Sequence, residues 1–490
     1  MKFRPYMLCF LFSFTWGCSS VEEPDAPPNL LFVFADQFRK QAVGFMEQDP
    51  VATPALDQLA SEGVAFTNAV STCPICSPYR AMLMTGRFPL STGITANCMP
   101  GTDLELREEE ICIGDILKAS GYHTGYIGKW HLDIPSLNRS PFPGDSAMDA
   151  WDGWTPPGPR RHGFDFWYAY NCNSRHFQPN YWSESPDRID VDQWSVAHET
   201  DVAIEFIQNR PKERPFALFI SWNPPHNPYI APDTFISLYE QKSLKPRPNA
   251  LVDEMYLNRR IGYLAAVSSI DHHFSRLMAA LKKAGLDENT MVVFTSDHGE
   301  MMGSHGRYAK SVWFDESIGI PFIVRWKGSI QPAVEQMPFA CYHFMPTLLG
   351  LLGIDVPESV EGTSYAELLL GNSESRASAA VIAGYGNPGR LLAVGQEPSV
   401  WAMQADSLHR SGIDWRTTGY RGLRTERHTY VVDRGKKGAY LRRFLYDNQT
   451  DPYQLHPITA VHAMENPTME RLDSLLLVWL TRMHDPFRLE

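Results

Sequence analysis

A basic surplus is what this chain most clearly lacks. Lysine and arginine number 44 against 56 aspartates and glutamates, a formal net charge of −12. With no excess of cations to neutralise a phosphate backbone, nucleic acid is excluded as a partner. A small anion is not excluded, because it responds to nearby lysines and histidines more than to the distant field. Cysteine is scarce as well, with 8 in 490 residues, at positions 9, 18, 73, 76, 98, 112, 172 and 341. That scatter is too thin for a disulfide scaffold, although one or two bridges fit. Cys73 and Cys76 have the spacing of a redox pair or half a zinc site, but no second such pair exists to complete a zinc site. Beyond Pro28 there is no internal repeat, no low-complexity tract and no apolar run long enough to span a bilayer. With 43% hydrophobic and 20% charged residues, the composition is globular and the length suits one large core plus a smaller domain.

The N-terminus reads as an export signal. Lys2 and Arg4 give a positive start, and Met7 to Trp16 is a short apolar run. Gly17-Cys18 follows, then a Pro-rich acidic stretch to Pro28. This resembles a bacterial lipoprotein signal, in which Cys18 would be acylated. The expected organisation is a signal at 1–18, a linker at 19–28, a catalytic domain at 29–371 and a C-terminal subdomain at 372–490.

Four apolar runs stop at reactive residues. Leu30–Ala35 runs into Asp36-Gln37, and His123–Ile127 into Gly128-Lys129-Trp130-His131. Phe216–Ile220 runs towards Asn223-Pro224-Pro225-His226, and Met291–Thr295 into Ser296-Asp297-His298-Gly299-Glu300. Continuous rather than alternating apolar strands need a sheet covered on both faces. Helical patterns such as Pro54–Glu62 and Arg259–Ala284 separate them, so the fold class is α/β with a mostly parallel sheet sandwiched by helices. Ligands bind at the carboxyl ends of such strands. Each reactive residue has a plainer reading taken singly: Asp36 as a helix cap, His226 as a structural loop histidine, Asp297-His298 as a turn. Together they are hard to explain as packing, because buried charges must be paired or used.

Cys76-Ser77-Pro78-Tyr79-Arg80, followed by Ala81 to Met84 and Gly86, puts a cysteine at the mouth of a short helix. Pro78 suits the first helical position and Gly86 a left-handed end. Free N–H groups there would favour an anion beside Cys76. Cys-x-Pro-x-Arg resembles the signature of the formylglycine-dependent sulfatases. The order of the remaining landmarks, Thr53-Pro54-Ala55-Leu56-Asp57, Gly128-Lys129-Trp130-His131, Pro225-His226, Ser296 to Glu300 and Tyr308-Ala309-Lys310, is similar to that family of the alkaline phosphatase superfamily over nearly all of the chain after Pro28.

The resemblance implies an alkaline phosphatase-like mixed sheet with a smaller C-terminal α+β domain. It implies that Asp36, Gln37, Asp297 and His298 hold a divalent cation, which Cys76 also touches. Gln37 and His298 stand where aspartate and asparagine are commoner, so calcium and magnesium both remain open. It implies that a maturation enzyme converts Cys76 to formylglycine, whose hydrate is the nucleophile. The second hydroxyl of that hydrate, lacking in a cysteine or serine, would let sulfate leave. Arg80 would orient the hydrate, Lys129 and Lys310 would bind sulfate, His131 would lie beside the formylglycine, and His226 near the leaving oxygen.

Trp151 to Trp182 is dense in aromatics interleaved with His162, Arg175, His176 and other polar residues. This stretch is expected to wall the pocket, with His162, Arg175 and His176 as contacts to a sugar. Tyr420–Asp433 and Arg443–Tyr446 read as strands, and Met469–Met483 as a docking helix. The favoured function is hydrolysis of a sulfate ester on a sulfated saccharide by an exported enzyme, in the periplasm or anchored to the outer membrane. The alternatives are a phosphonate monoester or phosphodiester hydrolase, and a lipid-anchored glycan-binding protein whose Cys76 is never matured.

Overall fold

The computed structural model describes residues 27–99, 102–134, 151–239, 244–385, 411–435, 438 and 440–490. The expected signal, and Cys18 within it, lie outside the described residues. Among the described residues, sixteen strands fall into two main sheets and a small pair. The large sheet holds β1 (Asn29–Asp36), β2 (Val64–Val70), β3 (His123–Lys129) and β4 (Phe166–Tyr170). β5 (Asn180–Tyr181) and β6 (Ile189–Asp190) form the separate two-stranded pair. The large sheet continues with β7 (Phe216–Pro225), β8 (Thr290–Ser296), β9 (Gly319–Arg325), β10 (Ala333–Glu335) and β11 (Phe339–Ala340).

Its order is β10-β2-β9-β8-β1-β7-β3-β4, with β11 also paired to β2. Among the described residues only β9 runs antiparallel to its neighbours; every other pairing in this sheet is parallel. The four strands read as ending in chemistry, β8, β1, β7 and β3, are therefore adjacent and point the same way. β2 shares their direction, since it and β8 flank the reversed β9, and it delivers the Cys76 helix to the same edge.

Burial explains the apolar runs. In β1, Leu30, Phe32 and Phe34 enter one apolar cluster, while Leu31, Val33 and Ala35 enter another on the opposite face. A strand whose alternate side chains meet two cores has no solvent side, so it reads as continuous apolar sequence. The second face is covered by helices Pro54–Glu62, Ser195–Asn209 and Tyr256–Lys283. The expected Pro54–Glu62 agrees with the observed bounds and the expected Arg259–Ala284 falls close to Tyr256–Lys283, whereas Ser195–Asn209 was not anticipated.

The second sheet is antiparallel: β12 (Ala380–Gly384), β13 (Tyr420–Arg424), β14 (His428–Asp433), β15 (Arg442–Asp447) and β16 (Ile458–Ala460), in that order. Helix Pro467–Arg482 covers it with Met469, Leu472, Leu476 and Leu480. Pro467 opens the helix, and the Asn466 side chain accepts hydrogen bonds from the N–H groups of Thr468 and Met469. Val381, Val431 and Leu472 lie in the same apolar cluster as Phe32 and Phe34 of the large sheet. The C-terminal sheet is thus docked on the main body through a shared core, and the Ala383 N–H donates to the Thr72 carbonyl at 2.7 Å. Among the described residues, no helix is long and apolar enough to cross a membrane. The six described cysteines are all free thiols, so no bridge joins Cys73, Cys76, Cys98, Cys112, Cys172 or Cys341.

One glycine links the fold to the sheet edge. Gly262 lies inside helix Tyr256–Lys283, where alanine is ordinarily better by about 1 kcal/mol. A Cβ there would meet the Tyr229 carbonyl oxygen at 1.9 Å. We expect Gly262→Ala to lower the melting temperature despite its better propensity, because the Tyr229 backbone must retreat. A calorimetric scan showing a stabilised variant would refute this account of the close approach.

Candidate active site

Helix Cys76–Thr85 is wholly buried and ends at Gly86, whose φ of 63° is left-handed and whose N–H bonds the Met82 carbonyl. It begins at Cys76, so Pro78 is its third residue rather than its first; the proline still falls within the first turn, where no N–H is required. Cys76 Sγ lies 3.4 Å from His298 Nε2 and 3.8 Å from Asp36 Oδ1.

One turn along the helix, Arg80 is fully buried. Its guanidinium donates to the Lys129 carbonyl at 2.6 Å, Ser221 Oγ at 2.7 Å, Asp297 Oδ2 at 3.2 Å and Asp36 Oδ2 at 3.3 Å. Lys129 Nζ donates to the same Asp36 oxygen at 2.6 Å and to Asn223 Oδ1 at 3.4 Å. Burial alone would raise the Asp36 carboxyl, but the Lys129 ammonium foremost, with Lys310 beside it, outweighs burial and holds it well below the usual range. The partner effect is reciprocal: burial would lower Lys129, and Asp36 instead raises it. Asp36 and Lys129 are therefore both charged.

The geometry and chemistry of four buried groups fit a divalent cation. Ligand atoms of Asp36, Cys76, Asp297 and His298 all lie within 4.8 Å of one another. His298 Nδ1–H donates to the Gly299 carbonyl at 3.0 Å, which leaves the Nε2 lone pair facing Asp297 Oδ1 at 3.5 Å and Asp36 Oδ1 at 3.6 Å. Burial lowers the pKa of His298 against the pull of Asp297, so this nitrogen is unprotonated. A lone pair facing two carboxylate oxygens is repulsive without a cation among them. The backbone carbonyl that fixes the tautomer is the usual outer partner of a metal-binding histidine. Gln37, at a φ of 68°, accepts from Lys310 Nζ at 2.7 Å through Oε1, and its N–H donates to Asp297 Oδ1 at 2.9 Å.

His131 and His226 complete the edge. His131 has a φ of 56°, is buried, and among the described residues neither ring nitrogen has a partner. A buried imidazole with both nitrogens unsatisfied is costly unless a ligand or reacting group meets it. Burial, then Lys129 and Arg80, push its pKa well below the ordinary value, so it stands as a neutral base. His226 is half-buried, and its Nδ1–H donates to the Asn227 carbonyl at 2.7 Å. Burial and Lys310 likewise lower its pKa.

The expected sugar wall is corrected in part. Trp167, Tyr170, Tyr181 and Trp182 are buried, and Trp167 packs with Tyr126 and Trp130, so much of the aromatic density is core at the sheet edge. His162 is buried against Trp130, with Nδ1 3.7 Å from Asp115, and is not among the residues that line the cavity bordered by Arg175. His176 is largely buried, and Nε2–H donates to the His226 carbonyl at 2.7 Å, so it supports His226 from behind while lining that cavity on its other side. Arg175 does border a cavity of about 440 Å³, with Phe177, Gln178, Asp192, Gln193 and Ile230 among its other lining residues.

Ser221 and Asn223 escaped the sequence reading as site residues. Their signal is faint: two polar residues near the end of an apolar strand. Glu300 and Tyr229 also lie in the site, and Tyr229 Oη–H donates to Glu300 at 2.9 Å.

Arg80 is the compensating charge for two fully buried carboxylates. Removing one partner of such a cluster costs about 3–5 kcal/mol, because the other charges stay buried. We expect Arg80→Ala, measured by urea unfolding in chelator, to lose stability on that scale. A loss near zero would mean that the carboxylates are neutralised otherwise.

Residues 28–354 match the family model described as Sulfatase. The chain is 34% identical to the endo-4-O-sulfatase of Bacteroides thetaiotaomicron, across 97% of this chain and 96% of that protein. It is 33% identical to the ulvan-active sulfatase of Formosa agariphila, across 96% of this chain and 84% of that one. A solved structure of the putative sulfatase yidJ from Bacteroides fragilis superposes with a TM-score of 0.81 at 34% identity, covering 96% of this chain and 99% of that one. The fold is the alkaline phosphatase-like one these sulfatase structures share. With a family match over most of its length and relatives aligned almost end to end, this chain belongs to the sulfatase family, and it is a sulfatase.

Proposed function

We propose that the protein hydrolyses sulfate esters on a glycan, using formylglycine made from Cys76 and a divalent cation, calcium or alternatively magnesium. The observation that carries this reading is the convergence of Cys76 with Asp36, Asp297 and His298, all buried and within 4.8 Å. When present, the matured residue and the cation supply an oxygen nucleophile and Lewis-acid stabilisation of the sulfuryl group.

The chain's own groups do the rest. Lys129 and Lys310 offset charge on the sulfuryl oxygens from fixed positions, one held by Asp36 and the other by Gln37. His131, neutral and without a partner among the described residues, accepts a proton. His226 keeps Nδ1–H on the Asn227 carbonyl, so Nε2 is the nitrogen free to serve the leaving oxygen. Because His226 is neutral in the free site, it gains its proton as the anionic ester arrives, or Lys310 supplies it.

The glycan part of the reading rests on the relatives, one named for endo-4-O-sulfate removal and one for activity on ulvan. It is supported by the cavity of about 440 Å³ beside His176, where Arg175, Gln178 and Gln193 offer hydrogen bonds and the partly exposed Phe177 offers a ring face. Export belongs to the same proposal: a signal at 1–18 would carry the protein to the periplasm or, acylated at Cys18, to the outer membrane.

Three measurements test it. We expect sulfate release from defined sulfated saccharides, with Arg175→Ala raising KM for an oligosaccharide more than for a small aryl sulfate. Phosphonate monoesters or phosphodiesters cleaved faster than every sulfated sugar would overturn the substrate class. Mass spectrometry of the Cys73–Arg80 peptide should show formylglycine at 76, and unmodified cysteine in fully active enzyme would sink the mechanism. Labelling with a clickable palmitate should mark the wild type and not Cys18→Ala; an unlabelled wild type retires the anchor.

A further inference from the structure

Glu300 follows two residues after His298 and is fully buried. Its carboxylate meets donors only. Oε1 accepts from the N–H groups of Met302 at 2.7 Å and Ala309 at 2.8 Å. Oε2 accepts from Tyr229 Oη at 2.9 Å and from Gln37 Nε2. The backbone of Gln37 is held independently, its N–H by Asp297 and its carbonyl by the Tyr263 hydroxyl at 3.0 Å. What remains to be decided at Gln37 is which way its amide faces. An amide has a donor end and an acceptor end of nearly the same shape, so hydrogen bonding alone chooses between them.

We propose that Glu300 is a positioning residue: as a pure acceptor it takes the Nε2 end of Gln37 and so turns Oε1 outward onto Lys310. The same carboxylate ties down Ala309, the residue before Lys310, so one group orients both a cation-site oxygen donor and a sulfate-site lysine. This rests on the reading that Gln37 serves the cation site. At a site with aspartate in place of Gln37, both carboxylate oxygens would be equivalent and no such selector would be needed. With Gln37, reversal would present N–H to the Lys310 ammonium and remove an oxygen ligand from the cation.

The test is a donor–acceptor swap read by calcium binding to chelator-stripped protein, using isothermal titration and the calcium-dependent rise in melting temperature. Glu300→Gln keeps an oxygen for Met302 and Ala309 but turns an NH₂ towards Gln37 Nε2, so the Gln37 amide should reverse. Calcium affinity should fall by about 10- to 100-fold, the usual effect of losing an outer partner of a metal ligand. Gln37→Glu alone sets two carboxylates face to face and should also weaken binding. Gln37→Glu combined with Glu300→Gln restores one donor opposite one acceptor and should bind within a few-fold of wild type, tighter than either single variant. A merely structural role in the 301–310 loop predicts no such rescue. Glu300→Gln binding as tightly as wild type, or a swapped variant no better than Glu300→Gln, overturns the inference. Should Glu300→Gln fail to fold, the swapped variant decides by whether it both folds and binds. A wild type that binds neither calcium nor magnesium overturns the cation reading itself, a result distinct from tight binding by every variant.

Discussion

A single guanidinium joins the parts of this protein that matter. Arg80 hydrogen-bonds Asp36 at the end of β1, the Lys129 carbonyl at the end of β3, Ser221 in β7 and Asp297 just past β8. Those are the four central strands whose ends carry the chemistry. Arginine is suited to this because its planar fork can serve several acceptors at once and stays charged when buried. The helix that supplies Arg80 also supplies Cys76, so the reactive residue is indexed to the strand ends by the ion pair that stabilises them. A lysine could reach one carboxylate but could not span four strands.

Backbone strain collects at the same edge. Gln37, His131, Met302, His305, Ala309 and Ser311 all have left-handed φ without being glycine. Such conformations cost energy and persist where surrounding contacts over-determine them. Here the contacts are visible: the Asp297 carboxylate holds the Gln37 N–H, and Glu300 holds the N–H groups of Met302 and Ala309. The carboxylates therefore shape the loops as well as charging the site.

The legibility of the site in the sequence follows from the same geometry. A parallel sheet turns each strand's carboxyl end to one edge, so Asp36, Lys129, His226 and Asp297 could be grouped without knowing the strand order. The apolar runs were legible because both faces of β1 are buried. Reversal of β9 was not, because its Gly-Ile-Pro-Phe-Ile-Val-Arg run is as apolar as its parallel neighbours and direction leaves no mark on composition. The aromatic stretch misled for a related reason: burial against a sheet edge and exposure to a sugar select the same residue types. His162 packs against Trp130 instead of lining the cavity, whereas His176 and Arg175 do line it. Glu300 was visible in its motif, but its task depends on four donors brought together by folding.

Charge explains why the cysteine itself is a poor reagent here. Asp36 and Asp297 contribute two negative charges, and Arg80 and Lys129 balance them, leaving Lys310 for an incoming anion. A thiolate at Cys76 would add negative charge beside Asp36 in a buried site. Burial, then Asp36, raise the thiol pKa, although Lys129 and Lys310 oppose them. The thiol stays neutral, and a neutral thiol is a weak nucleophile. A cation among Asp36, Asp297 and His298 would shift the balance towards an anion, but its first effect would be on oxygen, the donor a hard ion prefers. The surroundings of Cys76 thus disfavour a thiolate and favour an oxygen nucleophile over a sulfur one at this position.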